Sequence, residues 1–163
     1  MDISIKNIVF ATDFSECAQQ AQRYAIALAV PLCARLHVLH VVTDPSPLPG
    51  ITGLTTNSRG DELSQIEKRA EEKLQAQMGD DLQRYPSIRC VVRAGNPAQQ
   101  IQDYARTHEA DIIILGTHGR KGLSHLVVGS VAEEIVRVAS CPVLTVHSNG
   151  DGRILKPSAD AKS

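Results

Sequence analysis

Apolar residues in this chain fall into two patterns, and the patterns alternate. Ile8-Val-Phe-Ala11, Leu36-His-Val-Leu-His-Val-Val42, Ile88-Arg-Cys-Val-Val-Arg93, Asp111-Ile-Ile-Ile-Leu115 and Pro142-Val-Leu-Thr-Val-His147 are short runs rich in β-branched and aliphatic residues. Their length and composition predict five buried strands. Between them the apolar positions spread to a spacing of three and four, which predicts helices. From Ser15 to Ala29, the residues Ala18, Ala21, Ala25 and Leu28 share a face. From Asp61 to about Gln83, the stripe is Leu63, Ile66, Ala70, Leu74 and Met78. A third helix opens at Asn96-Pro97, with Asn as cap and Pro in the first turn. It runs to about Glu109 and turns Ile101, Tyr104, Ala105 and His108 inward. A fourth begins at Ser130 and ends near Ala139.

Strands alternating with helices imply an α/β fold, a single doubly wound sheet of five parallel strands with helices on both faces. Pattern alone does not order the strands; 3-2-1-4-5 is the expectation carried forward. In such a sheet ligands bind beyond the carboxyl ends of the strands, where the order reverses. That point would lie between strands one and four. It would bring together Thr12-Asp13 and the glycine-rich segment Gly116-Thr-His-Gly119-Arg-Lys-Gly-Leu-Ser-His-Leu-Val-Val-Gly129-Ser130.

The length of 163 residues fits one domain. We expect it to occupy residues 1–147, with 148–163 a disordered tail, and with the Pro- and Gly-containing stretch from Asp44 to Gly60 a mobile loop. A net charge of −1 gives no field to recruit nucleic acid or anionic membrane, and 3% aromatic content argues against base stacking. No apolar run approaches the roughly 20 residues that span a bilayer. The amino terminus lacks a signal-peptide layout, so a cytoplasmic protein is expected. Cys17, Cys33, Cys90 and Cys141 form no Cys-x-x-Cys pair and read as small apolar residues in a reducing compartment. His118 and His125 flank the glycine loop at a spacing that suits no metal pair, while His37, His40, His108 and His147 read as packed or exposed singly. No protein metal site is expected.

Two familiar phosphate loops are absent. There is no Gly-x-x-x-x-Gly-Lys-Ser/Thr and no Gly-x-Gly-x-x-Gly. What stands instead is Gly116-x2-Gly119-x9-Gly129-Ser130 between a strand and a helix. Glycines admit close backbone approach, and a helix start offers unpaired N–H groups to an anion. Arg120 is the better phosphate candidate of the loop cations because its fork takes two oxygens; Lys121 reads equally well as a solvated charge. Ser130 and Glu133 have capping-box spacing, so Ser130 can cap its helix, face a phosphate, or do both. Asp13 and Glu16 have the same spacing, so Asp13 can cap the first helix or serve a ligand.

At these residues the chain resembles the universal stress protein family in its ATP-binding branch. The resemblance extends through Ile8-Val-Phe-Ala-Thr-Asp13, Leu39-His-Val-Val42 and Cys141-Pro-Val-Leu-Thr-Val146, covering about residues 3 to 147. It implies that the Gly116, Gly119 and Gly129 loop, with Arg120, Ser130 and Val131, holds the phosphates of ATP or AMP. It implies that Asp13 accepts from ribose hydroxyls, and that Ala11, Thr12, Val41 and Leu115 line the adenine pocket. A Mg²⁺ would be held chiefly by phosphates and water. No residue set for hydrolysis is evident, and the adenylating-enzyme motifs are missing. The expected function is thus a stress-response regulator that binds adenine nucleotide and is read by an unknown protein partner. The alternatives are a dimerisation module without nucleotide and, further off, an ATP-using adenylating enzyme. The resemblance also implies a homodimer through Val143, Leu144, Thr145 and Val146, an apolar edge strand free of charged residues.

Overall fold

The computed structural model describes residues 4–43, 56–117 and 130–147, with residues 56–59 described by backbone alone. The elements follow the expected alternation: β1 Asn7–Thr12, α1 Glu16–Leu32, β2 Arg35–Val42, α2 Thr56–Arg84, β3 Ile88–Ala94, α3 Pro97–Thr107, β4 Ile112–Gly116, α4 Ser130–Val138 and β5 Val143–Val146. The strands form one sheet in the order β3-β2-β1-β4-β5, and every pairing is parallel.

Side-chain alternation divides the core into two layers. Ile8, Phe10, Leu36, Val38 and Ile114 face one side and pack with Ala21, Ala25 and Ala29 of α1 and with Leu74 and Met78 of α2. Val9, Ala11, Leu39, Ile113 and Leu115 face the other, against Ile101, Tyr104 and Ala105 of α3 and Ala132 and Ile135 of α4. The alanine stripe of α1 explains how a helix lies this close to the sheet, since small side chains keep the two backbones near each other.

Several boundaries differ from the sequence expectation for local reasons. Helix α1 continues through Pro31 to Leu32, because proline costs little in an exposed last turn, and it ends where Cys33 takes a left-handed conformation with φ 51°. Helix α2 begins at Thr56, so the final part of the expected Asp44–Gly60 loop is helical. That helix is broken at Gly79, whose φ of 36° and ψ of −116° no helix contains, so the continuous stripe read from the sequence is two helical pieces. Asp111 lies just before β4; its Oδ2 accepts from the N–H groups of Lys6 and Asn7 at 2.7 and 2.8 Å, fastening the start of β1. Helix α3 opens as expected, with Asn96 Oδ1 accepting from Gln99 N at 3.0 Å and Pro97 following. Residues 44–55, the 148–163 tail and the glycine loop from 118 to 129 lie outside the described residues.

Candidate functional site

β1 is where the sheet reverses. It pairs with β2 on one side and with β4 on the other. The chain leaving β1 enters α1, which packs on the first layer, whereas the chain leaving β4 reaches α4, which packs on the second. The two exits therefore part to opposite faces and leave a crevice at the carboxyl edge, where such sheets hold ligands.

Three of the residues expected to line the adenine pocket, and one assigned to the phosphates, meet on one side of that edge. Ala11 is the register partner of both Leu39 and Leu115, so these residues share a face, and Val41 follows Leu39 on it. Ala11 and Leu115 are buried in the second layer, and Val41 and Val131 pack against the same cluster. Together they form an apolar floor beside the first turn of α4. Gly119, Arg120 and Gly129, the remaining loop residues assigned to phosphate, lie outside the described residues.

The turn after β1 is locked by its own side chains. Thr12 Oγ1 accepts from Phe14 N at 3.1 Å, and Asp13 Oδ1 accepts from Ser15 N at 3.0 Å. Each is a side chain bonding the backbone two residues on, the pattern by which Thr and Asp stabilise turns. They hold Phe14 at φ 65°, a left-handed conformation that a bulky residue adopts only when its surroundings compel it. The Phe14 ring packs on His40 at 4.3 Å between centroids, and the Lys73 ammonium lies 4.2 Å above it. His40 Nδ1 donates to the Thr12 carbonyl at 2.7 Å. Strand, turn and α2 are thus tied together directly behind Asp13.

Two readings left open by the sequence are narrowed here. Thr12 does not line the pocket with its side chain: it is buried on the α1 side, its hydroxyl committed to Phe14 and its carbonyl to His40. Asp13 does not cap α1; the cap is Ser15, whose Oγ accepts from Ala18 N at 3.2 Å. Asp13 stands two residues earlier, half-buried at the carboxyl edge. Ser130 is exposed and opens the described part of α4, with Glu133 in the first turn that follows.

Gly116 has a reason distinct from phosphate approach. A Cβ there would meet Cys17 C and Cys17 Cβ at 2.8 Å and Ala18 N at 2.9 Å. The first turn of α1 therefore rests directly on β4, and only a residue without a side chain fits. Thr117, buried just beyond, donates from Oγ1 to the Val146 carbonyl at 3.3 Å and lies 2.8 Å from His147 Nδ1. It fastens the root of the glycine loop to the end of β5.

Sequence reasoning missed His40, Phe14, Lys73 and Thr117. The first two were signalled by Thr12-Asp13-Phe-Ser15, a double turn pattern whose hydrogen bonds demand an unusual backbone at its centre. It also read the histidines as packed or exposed singly, whereas His37 and His108 pack together with Tyr104. The thiols of Cys90 and Cys141 are pushed up by burial, in keeping with inert small side chains, but Cys33 is exposed. Among the described residues no cluster of three or more His, Cys, Asp or Glu is arranged to hold a metal, and no helix is long and apolar enough to cross a membrane.

A five-stranded parallel sheet of this order and a locked acidic turn at its reversal are features of many α/β proteins. The family model described as the universal stress protein family narrows them, matching residues 4–147. The chain belongs to the universal stress protein family. Universal stress protein MJ0531 of Methanocaldococcus jannaschii is 33% identical over 153 residues, covering 86% of this chain and 81% of that one. The structure of universal stress protein UspA from Lactobacillus plantarum aligns at a TM-score of 0.68 with 26% identity, covering 89% of this chain and 99% of that one. A universal stress protein from Archaeoglobus fulgidus, solved in complex with dAMP, shares the fold at a TM-score of 0.54 and 22% identity, over 88% and 99% of the two chains.

Proposed function

We propose that this universal stress protein binds an adenine nucleotide, ATP or AMP, and acts as a homodimeric regulator whose occupied state is read by a protein partner. The observation that carries the reading is the apolar floor of Ala11, Val41, Leu115 and Val131 beside Asp13, at the carboxyl edge where strand order reverses. A purine suits such a floor: it buries a flat apolar surface while main-chain groups at the strand ends meet its edge. Asp13 offers a carboxylate to the ribose hydroxyls, and the bonded turn beneath it fixes its position before ligand arrives. Ser130 and Val131 begin α4, whose end favours an anion by roughly 0.3–2 kcal/mol. Gly119, Arg120 and Gly129 supply the rest of the phosphate cradle in this reading, and any Mg²⁺ is held by phosphates and water. The dAMP complex of the Archaeoglobus relative supports an adenine nucleotide as the ligand class.

In this reading the protein binds rather than turns over its nucleotide. Dimerisation proceeds through β5, which lies at one end of the strand order and pairs only with β4 among the described residues. Titration calorimetry with ATP and AMP tests the binding. The expected result is saturable binding that Asp13→Asn weakens by about tenfold or more, the worth of a charge-assisted hydrogen bond, at an unchanged melting temperature. No heat at millimolar nucleotide, or full affinity in Asp13→Asn, refutes it.

A further inference from the structure

A second group of residues lies away from the carboxyl edge and has no part in nucleotide binding. His37, the third residue of β2, is buried, and its Nδ1 lies 2.8 Å from the Tyr104 hydroxyl. The Tyr104 ring stacks on His108 with centroids 3.9 Å apart, and the His37 and His108 rings are 5.2 Å apart. His108 Nδ1 donates to the Tyr104 carbonyl at 2.9 Å, because a carbonyl can only accept. The nitrogen left to take up a proton is therefore Nε2. Arg89 is the register partner of His37 across the β2–β3 ladder, and Arg35 precedes His37 by two on the same face. The Arg93 guanidinium lies 5.1 Å from the Tyr104 ring centroid.

This group carries positive charge without a counter-charge. Burial, and then His108, Arg89 and Arg35, hold the His37 imidazole below its ordinary range. No carboxylate acts in the opposite sense. On α3, Asp103 is taken up by Arg106 at 2.8 Å. Glu109, after the helix end, is exposed and is not among the groups acting on His37. Among the described residues, Arg35, Arg89 and Arg93 form no ion pair. Arginines on an edge strand also deter strand addition, but that role requires neither a buried imidazole nor an aromatic stack between them. At roughly 3.3 Å per residue, Arg35 stands about 20 Å and His37 about 13 Å from Val41 of the apolar floor, so Arg35 and its neighbours lie toward the opposite end of the strands from the nucleotide crevice, and of the group only Arg93 is the register partner of Val41.

We propose that Arg35, Arg89 and His108, backed by the buried His37–Tyr104 pair, bind a tetrahedral oxyanion of the phosphoryl class. Each guanidinium fork donates to two oxygens, and a protonated His108 Nε2 donates to a third. The anion offsets the crowding of cations and favours the charged imidazoles. Binding therefore takes up a proton, and affinity rises as pH falls through the histidine range; by reciprocity the bound anion raises the histidine midpoints.

Histidine-selective NMR titration of the whole chain tests this, with sodium sulfate as the probe because it stays dianionic across the histidine range. Sodium chloride at matched ionic strength is the control. The expected result is a saturable, sulfate-specific rise in the His108 midpoint, with tighter binding at lower pH. The Arg35→Gln/Arg89→Gln variant weakens sulfate binding by about tenfold or more while its ATP binding is unchanged. Arg89→Gln alone, which alters one exposed side chain, supplies the comparison if the double variant does not fold. Inorganic phosphate and O-phosphoserine then tell a free anion from a phosphate ester by which binds tighter. A His108 midpoint that moves no further in sulfate than in chloride overturns the proposal, as does full sulfate affinity in the arginine variants.

Discussion

Replacing Gly116 with alanine tests how closely the sheet meets α1. The new Cβ would lie 2.8 Å from both Cys17 C and Cys17 Cβ and 2.9 Å from Ala18 N. Ordinary contact begins near 3.4 Å, so the first turn of α1 must withdraw by roughly 0.6 Å. Two of the three obstructing atoms are backbone and cannot rotate aside. Withdrawal loosens the buried Cys17 and Ala18 and strains the 3.2 Å bond from Ala18 N to Ser15 Oγ. Elsewhere Gly→Ala gains about 0.4–1 kcal/mol by restricting the unfolded chain. Overpacking a core costs about 1–3 kcal/mol, so the clash wins and a net loss of about 1–2 kcal/mol is expected. At about 2–4 °C per kcal/mol for a domain near this size, the melting temperature falls by roughly 2–8 °C. Scanning calorimetry reads it, with Gly60→Ala as the internal control. Gly60 lies in α2 with nothing within 4 Å of an added Cβ, so alanine there should raise stability. A Gly116→Ala protein as stable as its parent would show that the contact between β4 and α1 is looser than described.

Ser15→Ala should cost about 0.5–2 kcal/mol through the lost cap of α1; urea unfolding measures it, and an unchanged midpoint would return the capping role to Asp13. Stability should also fall in acid because of His37. Burial, with His108, Arg89 and Arg35, depresses its folded-state pKa, so below its ordinary value of about 6.5 the unfolded chain binds the proton more readily. The loss begins as pH drops through that value and is absent above it. Urea midpoints in chloride buffer should show this, and His37→Gln should flatten the dependence; an equal slope in the variant would assign the effect to other groups. Val143→Lys with Thr145→Lys places like charges at the proposed two-fold contact and should give monomers by light scattering, where the parent gives dimers. A monomeric parent would refute the β5 interface.

The fold was legible because its signal is redundant. Each strand is a short aliphatic run and each helix a periodic stripe, so errors at the ends did not alter the alternation that dictates a parallel sheet. What failed were local decisions that periodicity does not encode. Gly79 sits between Met78 and Leu82 without interrupting the apolar spacing, so the break in α2 leaves the pattern intact. The first helix was expected to end at Ala29, but it runs on through Pro31, where the helix end is solvent-facing and the missing N–H is cheap. The strand order was an expectation that the pattern does not dictate, since any of the five runs satisfies the same hydrophobic rule.

The site was legible in its members but not in their division of labour. Ala11, Val41 and Leu115 were grouped by resemblance, and the register explains why they converge: they alternate onto the face that α4 covers, where Val131 of α4, assigned to the phosphates, packs against the same cluster. Thr12 was assigned to the same pocket by the same resemblance, but as the residue after Ala11 in β1 its side chain takes the opposite face. Its hydroxyl therefore falls behind the turn, where it bonds Phe14 N. That displacement gives Asp13 its character. A carboxylate on a flexible loop would lose much of its binding energy to ordering. Here Thr12, His40 and the left-handed Phe14 fix the backbone on either side of it, and Lys73 of α2 covers the aromatic ring that holds the turn. Gly116 completes the arrangement from the opposite strand, since the turn leads into α1 and α1 can seat only where β4 has no side chain. Gly116, which the resemblance assigned to the phosphate loop, thus acts on the Asp13 turn through helix α1, so the ends of β1 and β4 are coupled by packing.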